Sequence, residues 1–168
     1  MKHSKELENT AYHEAGHALV HFVLGIVEVV YVTIKPEGGN LGEVKIMENN
    51  SNMKRLKSVD FYFDRSNDEL AENYVITLLA GPVAERKYSN AASTLDGSDL
   101  ETTLTILDQI SGSSEGIERR IEALTARAED MIEQNWGRIE ALAAEFLKHE
   151  TLPWKRVTAI LNGEGGEK

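Results

Sequence analysis

The chain has 168 residues, no cysteine and a formal net charge of −10. That length supports one domain with a core that needs no staples, the missing cysteines exclude disulfide frameworks and thiolate metal sites, and the acidic balance argues against a nucleic-acid partner, whose phosphates require a basic surface. A basic peptide suits the charge better, and with no run of about 18 apolar residues and no N-terminal signal pattern, nothing is expected to span a membrane and a cytoplasmic location is the expectation.

The first element in chain order is a helix. Ser4 is its expected N-cap and Gly25 its stop, and Leu7, Ala11, Ala15, Ala18, Leu19, Phe22 and Val23 recur at three- and four-residue steps as an apolar stripe. Thr10, His13, Glu14, His17 and His21 fall on the other side. His13, Glu14 and His17 form the HExxH pattern. Residues four apart lie one turn apart on one helix face, so both imidazoles can reach one metal ion. The adjacent Glu14 is placed to take a proton from a water that a zinc ion has made acidic, which is the chemistry of peptide hydrolysis. A single histidine on such a face is ordinarily just solvated; two at this spacing with the glutamate between them point to a metal site. His21, one further turn along, could be a ligand or a donor behind one, and is expected to be exposed, since the extended motif of the metzincins is not matched. Gly16 costs the helix roughly 1 kcal/mol relative to alanine, which predicts a close neighbour there.

Val27 to Ile34 is rich in β-branched residues and reads as a strand, Pro36 to Asn40 as a turn, and Leu41 to Ile46 as a second strand. Such a hairpin either offers its edge to an extended peptide or only covers the core. Residues 47 to 65 show no period and read as irregular. Ser66 and Glu69 make a capping box for a helix through Tyr74 and Leu79 that Gly81 and Pro82 should kink or break, before a loop starting near Ser89.

A catalytic zinc has three protein ligands and one open position, so a third ligand lies elsewhere in the chain. Ser98 and Glu101 form another capping box, which puts Asp99 in the first turn of a helix through Leu104, Leu107 and Ile110. Asp96 and Glu85 compete with it, and an acidic residue at a helix start needs no role beyond compensating the dipole. The residues alone leave the choice among these three open.

From Ser114 to His149, Ile117, Ile121, Leu124, Ala128, Ile132, Ile139, Leu142 and Phe146 keep helical spacing and predict a helical hairpin broken at Gly137. Its charges read as a solvated face, which would also serve a contact with a second copy of the chain. Pro153 suits the first turn of a short last helix through Leu161, and residues 163–168 read as a disordered tail after a single domain spanning 1–162.

Together, AYHEAGHALV, VTIKP with a following LG, ITLLAGPVAER, GSDLETT and ARAEDMIEQNWGRIEALAAEFLKHETL resemble, in order, the proteolytic domain of the FtsH-type ATP-dependent metalloproteases, peptidase family M41. HExxH alone is shared by many hydrolases; the combination is far more specific. The resemblance implies a mainly helical zinc peptidase domain with a small β-hairpin or sheet and a C-terminal helical hairpin. It implies that His13 and His17 bind zinc, that Glu14 is the general base, and that Asp99, matching the family's (S/N)-D-(L/I) segment, is the third ligand. It moves Asp96 to second place and makes Glu85 structural. Members of the family usually carry a membrane anchor and an ATPase module, whereas this sequence has no Walker A glycine loop and a shorter SGSSEG connection. A chain without a motor is expected to cut peptides or proteins already unfolded, unless a separate ATPase delivers them. The readings are therefore an active zinc endopeptidase first, a metal-bound but idle module that scaffolds or regulates a full-length protease second, and a metal-free relic third. The intact Glu14 speaks against the last.

Overall fold

A computed structural model describes residues 3–39, 41–47, 49–90 and 97–164. Among these residues, seven α-helices and three strands follow in the order α1 (Lys5–Leu24), β1 (Val29–Thr33), β2 (Glu43–Ile46), α2 (Ser51–Leu56), α3 (Asp68–Ser89), α4 (Gly97–Ser111), α5 (Ser114–Gln134), α6 (Trp136–His149), β3 (Thr151–Pro153) and α7 (Trp154–Leu161). The architecture is mainly helical with one small antiparallel sheet, as the periodicities predict. Among the described residues no helix is long and apolar enough to cross a membrane.

Helix α1 begins and ends where its local chemistry says. The Ser4 side chain accepts the Leu7 amide, and Gly25, at φ 59°, closes the last turn by donating its N–H to the His21 carbonyl. Its apolar stripe enters the core through Ala11, Ala15, Ala18 and Leu19, all fully buried, but Val23 remains 49% exposed and does not pack.

Helix α3 runs antiparallel to α1 and approaches it closely at Gly16, where a Cβ would lie 2.5 Å from the Ala80 carbonyl oxygen and 2.7 Å from Ala84 Cβ. The glycine is thus the price of close helix approach, which in turn sets the spacing of everything the two helices carry. Gly16→Ala is expected to lower unfolding stability by about 1–3 kcal/mol through overpacking, despite a helix-propensity gain of roughly 1 kcal/mol; a urea midpoint at or above that of the native chain would contradict it.

The expected break at Gly81 and Pro82 does not occur: α3 continues unbroken to Ser89, with Pro82 inside it and buried. Tertiary packing overrides the local signal here. Gly16 presses on Ala80 and Ala84 to either side of the proline, and α5 clamps the same helix through Arg86–Glu129 and Arg120–Glu72 ion pairs. The start of α3 also differs from the sequence reading. The expected cap, Ser66, sits in a short 3-10 turn (Arg65–Asn67) whose cap is Asp64, and α3 begins at Asp68. Residues 49–65 hold more regular structure than expected, with Asn50 capping α2 and a second 3-10 turn at Val59–Phe63.

Strand β1 lies between β2 and β3, with Val32 opposite both Val44 and Leu152. The third strand was not legible, because three residues ending in a proline carry no alternation. Pro153 accordingly ends β3 and caps α7 rather than entering its first turn. The hairpin of α5 and α6 is present, but it turns at Asn135, two residues before the expected Gly137. Asn135 is the better stop because its side-chain amide donates to the Met131 carbonyl, closing the end of α5. Phe146, Ile132, Ile139, Leu142, Leu79 and Leu107 are among the fully buried side chains that join this hairpin to α3 and α4.

Candidate metal centre

Helical spacing sets His13 and His17 one turn apart on α1, with their Nε2 atoms 3.0 Å from each other. Asp99, in the first turn of α4, brings Oδ2 to 3.4 Å from His13 Nε2 and 3.2 Å from His17 Nε2. The three ligand atoms lie within 4.8 Å of one another. Of the two acidic candidates among the described residues, Asp99 is the one that reaches both imidazoles. Glu85 lies behind them, its Oε2 3.0 Å from His13 Nδ1, and Asp96 falls outside the described residues.

The outer nitrogens decide what the inner ones present. His17 Nδ1 is 2.6 Å from the Thr77 carbonyl oxygen, which can only accept, so Nδ1 carries the proton. The Glu85 carboxylate imposes the same tautomer on His13. Both Nε2 lone pairs then converge with the Asp99 carboxylate on one small volume. Three Lewis bases held so close repel each other unless a cation lies among them. Two imidazoles and a carboxylate, with acceptors fixing both rings from behind, suit a divalent first-row metal with a position left open. Gly81 keeps that volume clear: a Cβ there would lie 2.3 Å from His17 Nε2 and 2.7 Å from His13 Nε2.

The family model for peptidase family M41 matches residues 1–112, which carry this entire constellation. The chain belongs to peptidase family M41. It is 31% identical to the ATP-dependent zinc metalloprotease FtsH 1 of Symbiobacterium thermophilum over 94% of its length. It is 25% identical to the ATP-dependent zinc metalloprotease FtsH of Cupriavidus metallidurans and 27% identical to that of Rickettsia typhi, in each case over 95% of its length. The chain spans about 29% of the length of these curated relatives.

The polar face of α1 in this M41 chain is buried, not solvated. Glu14 is 5%, His17 8% and His21 6% exposed. The expectation that His21 is exposed is therefore wrong; α3 and the β-hairpin cover the face that its sequence neighbours left to solvent. Electrostatics follow from that burial. Burial alone would lower His13, but hydrogen bonding to Asp99 and then Glu85 outweighs it and holds the imidazole up at about 10, with a proton on Nε2 whose place a cation between the ligands would take. Burial would raise Asp99, but its bonds to His13 and His17 keep it well below the usual carboxylate range. Glu14 is pushed up, chiefly by burial, against the opposing pull of the two histidines.

These groups line a cleft of about 690 Å³ between α1, β2, α3 and the start of α4. Gly42 crosses it directly over Glu14; a Cβ there would lie 2.6 Å from Glu14 Oε1. Sequence reasoning missed Gly42, Gly81 and the Thr77 carbonyl. The two glycines offered only a weak signal, each next to a segment of otherwise regular pattern, and a backbone carbonyl offers none.

Proposed function

We propose that this M41 chain is a zinc-dependent endopeptidase domain that hydrolyses peptide bonds in peptides or unfolded proteins. The observation that carries the reading is the convergence of His13 Nε2, His17 Nε2 and Asp99 Oδ2 beside the buried Glu14 carboxylate, in an open cleft. His13, His17 and Asp99 hold the ion, and the relatives' names supply zinc as its identity. Bound there, zinc supplies Lewis acidity, lowering the pKa of water and polarising a carbonyl. Glu14 takes the proton of the attacking water on its carboxylate and returns it to the departing amide nitrogen. Its raised pKa favours that exchange. Glu85 and the Thr77 carbonyl hold the two rings in the tautomer that leaves Nε2 free.

Strand β2 is an end strand of the sheet, and its Glu43, Val44 and Ile46 line the cleft. An extended polypeptide added along β2 would be recognised through its backbone and would pass the metal site unfolded. Folded substrates therefore need an unfolding partner, and the relatives, named as ATP-dependent, point to an ATPase.

The test is elemental analysis of native protein beside Asp99→Ala, with casein cleavage followed on the same samples. Near-stoichiometric zinc that falls at least about tenfold in the variant, with chelator-sensitive cleavage of casein by the native protein, is the expected result. Zinc without cleavage would replace this reading with a metal-bound scaffolding module, and no metal in the native protein would overturn both.

A further inference from the structure

Five side chains at one-turn intervals along α1 line the cleft: Lys5, Asn9, His13, His17 and His21. His13 and His17 belong to the metal site. His21 does not, yet it is buried, at 6% exposure, and its Nδ1 has no hydrogen-bond partner. A buried polar atom left unpartnered at the wall of a substrate cleft calls for an account.

The packing around it is set by the antiparallel run of α1 against α3. Glu8 meets Tyr88, His13 meets Glu85, and His17 meets the Thr77 carbonyl, so one more turn on each helix takes His21 to the level of Tyr74. Strand β2 travels the same way, from Gly42 over Glu14 to Met47, whose amide bonds the Glu28 carbonyl beyond the end of α1. The His21 end of the cleft is thus walled by Val44, Ile46 and Leu78, while the opposite end is polar. At that end, beside Tyr74, His21 is the side chain whose buried nitrogen has no partner among the described residues.

The ring is neutral, because burial to 6% exposure disfavours the charged form. A neutral imidazole carries one proton. A stranded N–H at the enclosed Nδ1 is the rarer and costlier arrangement, so the proton belongs on Nε2, the edge left to the cleft. There it is a donor waiting for an acceptor. Lysine and arginine side chains have no acceptor, and carboxylates are repelled by Glu14, Glu43 and Asp99 along the same cleft. An apolar side chain would leave the donor desolvated and unpaired.

We propose that His21 is the floor of a substrate subsite one turn from the metal, selecting beside the scissile bond an uncharged side chain with a hydrogen-bond acceptor: glutamine, asparagine, threonine or serine. The inference rests on the peptidase reading above. His21 acts in it as a specificity residue.

Two measurements separate its fate from that of the peptidase reading. In the first, zinc-loaded native protein, His21→Leu and His21→Gln digest a peptide library and the cut sites are mapped by mass spectrometry. Native protein and His21→Gln, which retains a donor, should favour the four side chains at one position flanking the cut, by roughly tenfold or more over leucine; His21→Leu should lose that preference. Cleavage by His21→Leu with an unchanged preference would overturn the subsite and leave the peptidase intact. In the second, labelled extended peptides carrying glutamine or leucine at each successive position are titrated into Glu14→Gln and into Glu14→Gln with His21→Leu, each shown to be folded by circular dichroism. A glutamine preference at one position that vanishes with His21 supports the subsite even where the native protein cuts nothing. No preference in the Glu14→Gln protein overturns it.

Discussion

Glu14→Gln is expected to keep its zinc and to lose casein cleavage by roughly 10²–10⁴-fold, the usual contribution of a positioned general base. The substitution is nearly isosteric, so the carboxamide still fits under Gly42, where a Cβ would already stand 2.6 Å from Glu14 Oε1. It removes the acceptor that can take a proton and leaves untouched the His13, His17 and Asp99 atoms proposed to hold the metal. The informative readout is the pair of measurements on one sample, metal by elemental analysis and cleavage by released peptide. Full zinc with cleavage within a fewfold of native would remove Glu14 from the chemistry. Loss of zinc together with cleavage would make it a structural support of the site instead.

Gly81→Ala is expected to abolish the metal centre while leaving a helical protein. The new methyl carbon would stand 2.3 Å from His17 Nε2, 2.6 Å from His17 Cε1 and 2.7 Å from His13 Nε2. No rotamer of both rings keeps two lone pairs on a shared ion with a carbon in that place. A weakening of zinc affinity by at least about 100-fold is expected, since displaced ligands should cost no less than the loss of their orienting partners. Inside α3 the substitution itself favours helix by roughly 1 kcal/mol, so circular dichroism should show the fold retained. Gly137→Ala is the control. Nothing lies within 4 Å of the Cβ it would add, and its zinc content and cleavage should match those of the native chain. Native zinc affinity in Gly81→Ala would mean that the ion is held elsewhere than between these rings.

The helices were legible to the extent that their signals are local. Ser4 and Gly25 bound α1 because a cap hydrogen bond and a left-handed glycine act within one turn. Asp99 lies in the first turn of α4 as expected, although Ser98, its expected cap, is inside the helix, which begins at Gly97. Pro82 misled because the rule it carries concerns an isolated helix, whereas the α1 contact at Ala80 and Ala84 and the α5 ion pairs hold α3 through it. His21 misled for a related reason: its polar neighbours suggest a solvated face, yet that face is the one the hairpin and α3 close over.

What the sequence determined by itself is the chemistry on α1. The positions of His13, Glu14 and His17 on one face follow from a pitch of 3.6 residues per turn, whatever the rest of the chain does. Tertiary structure alone decided the remainder: that Asp99 rather than Glu85 meets both rings, that Glu85 and the Thr77 carbonyl orient them from behind, and that Gly81 and Gly42 leave the room in which they work. These are relations between elements far apart in the chain, set by how closely α1 and α3 approach at Gly16, and no local periodicity encodes a distance between helices.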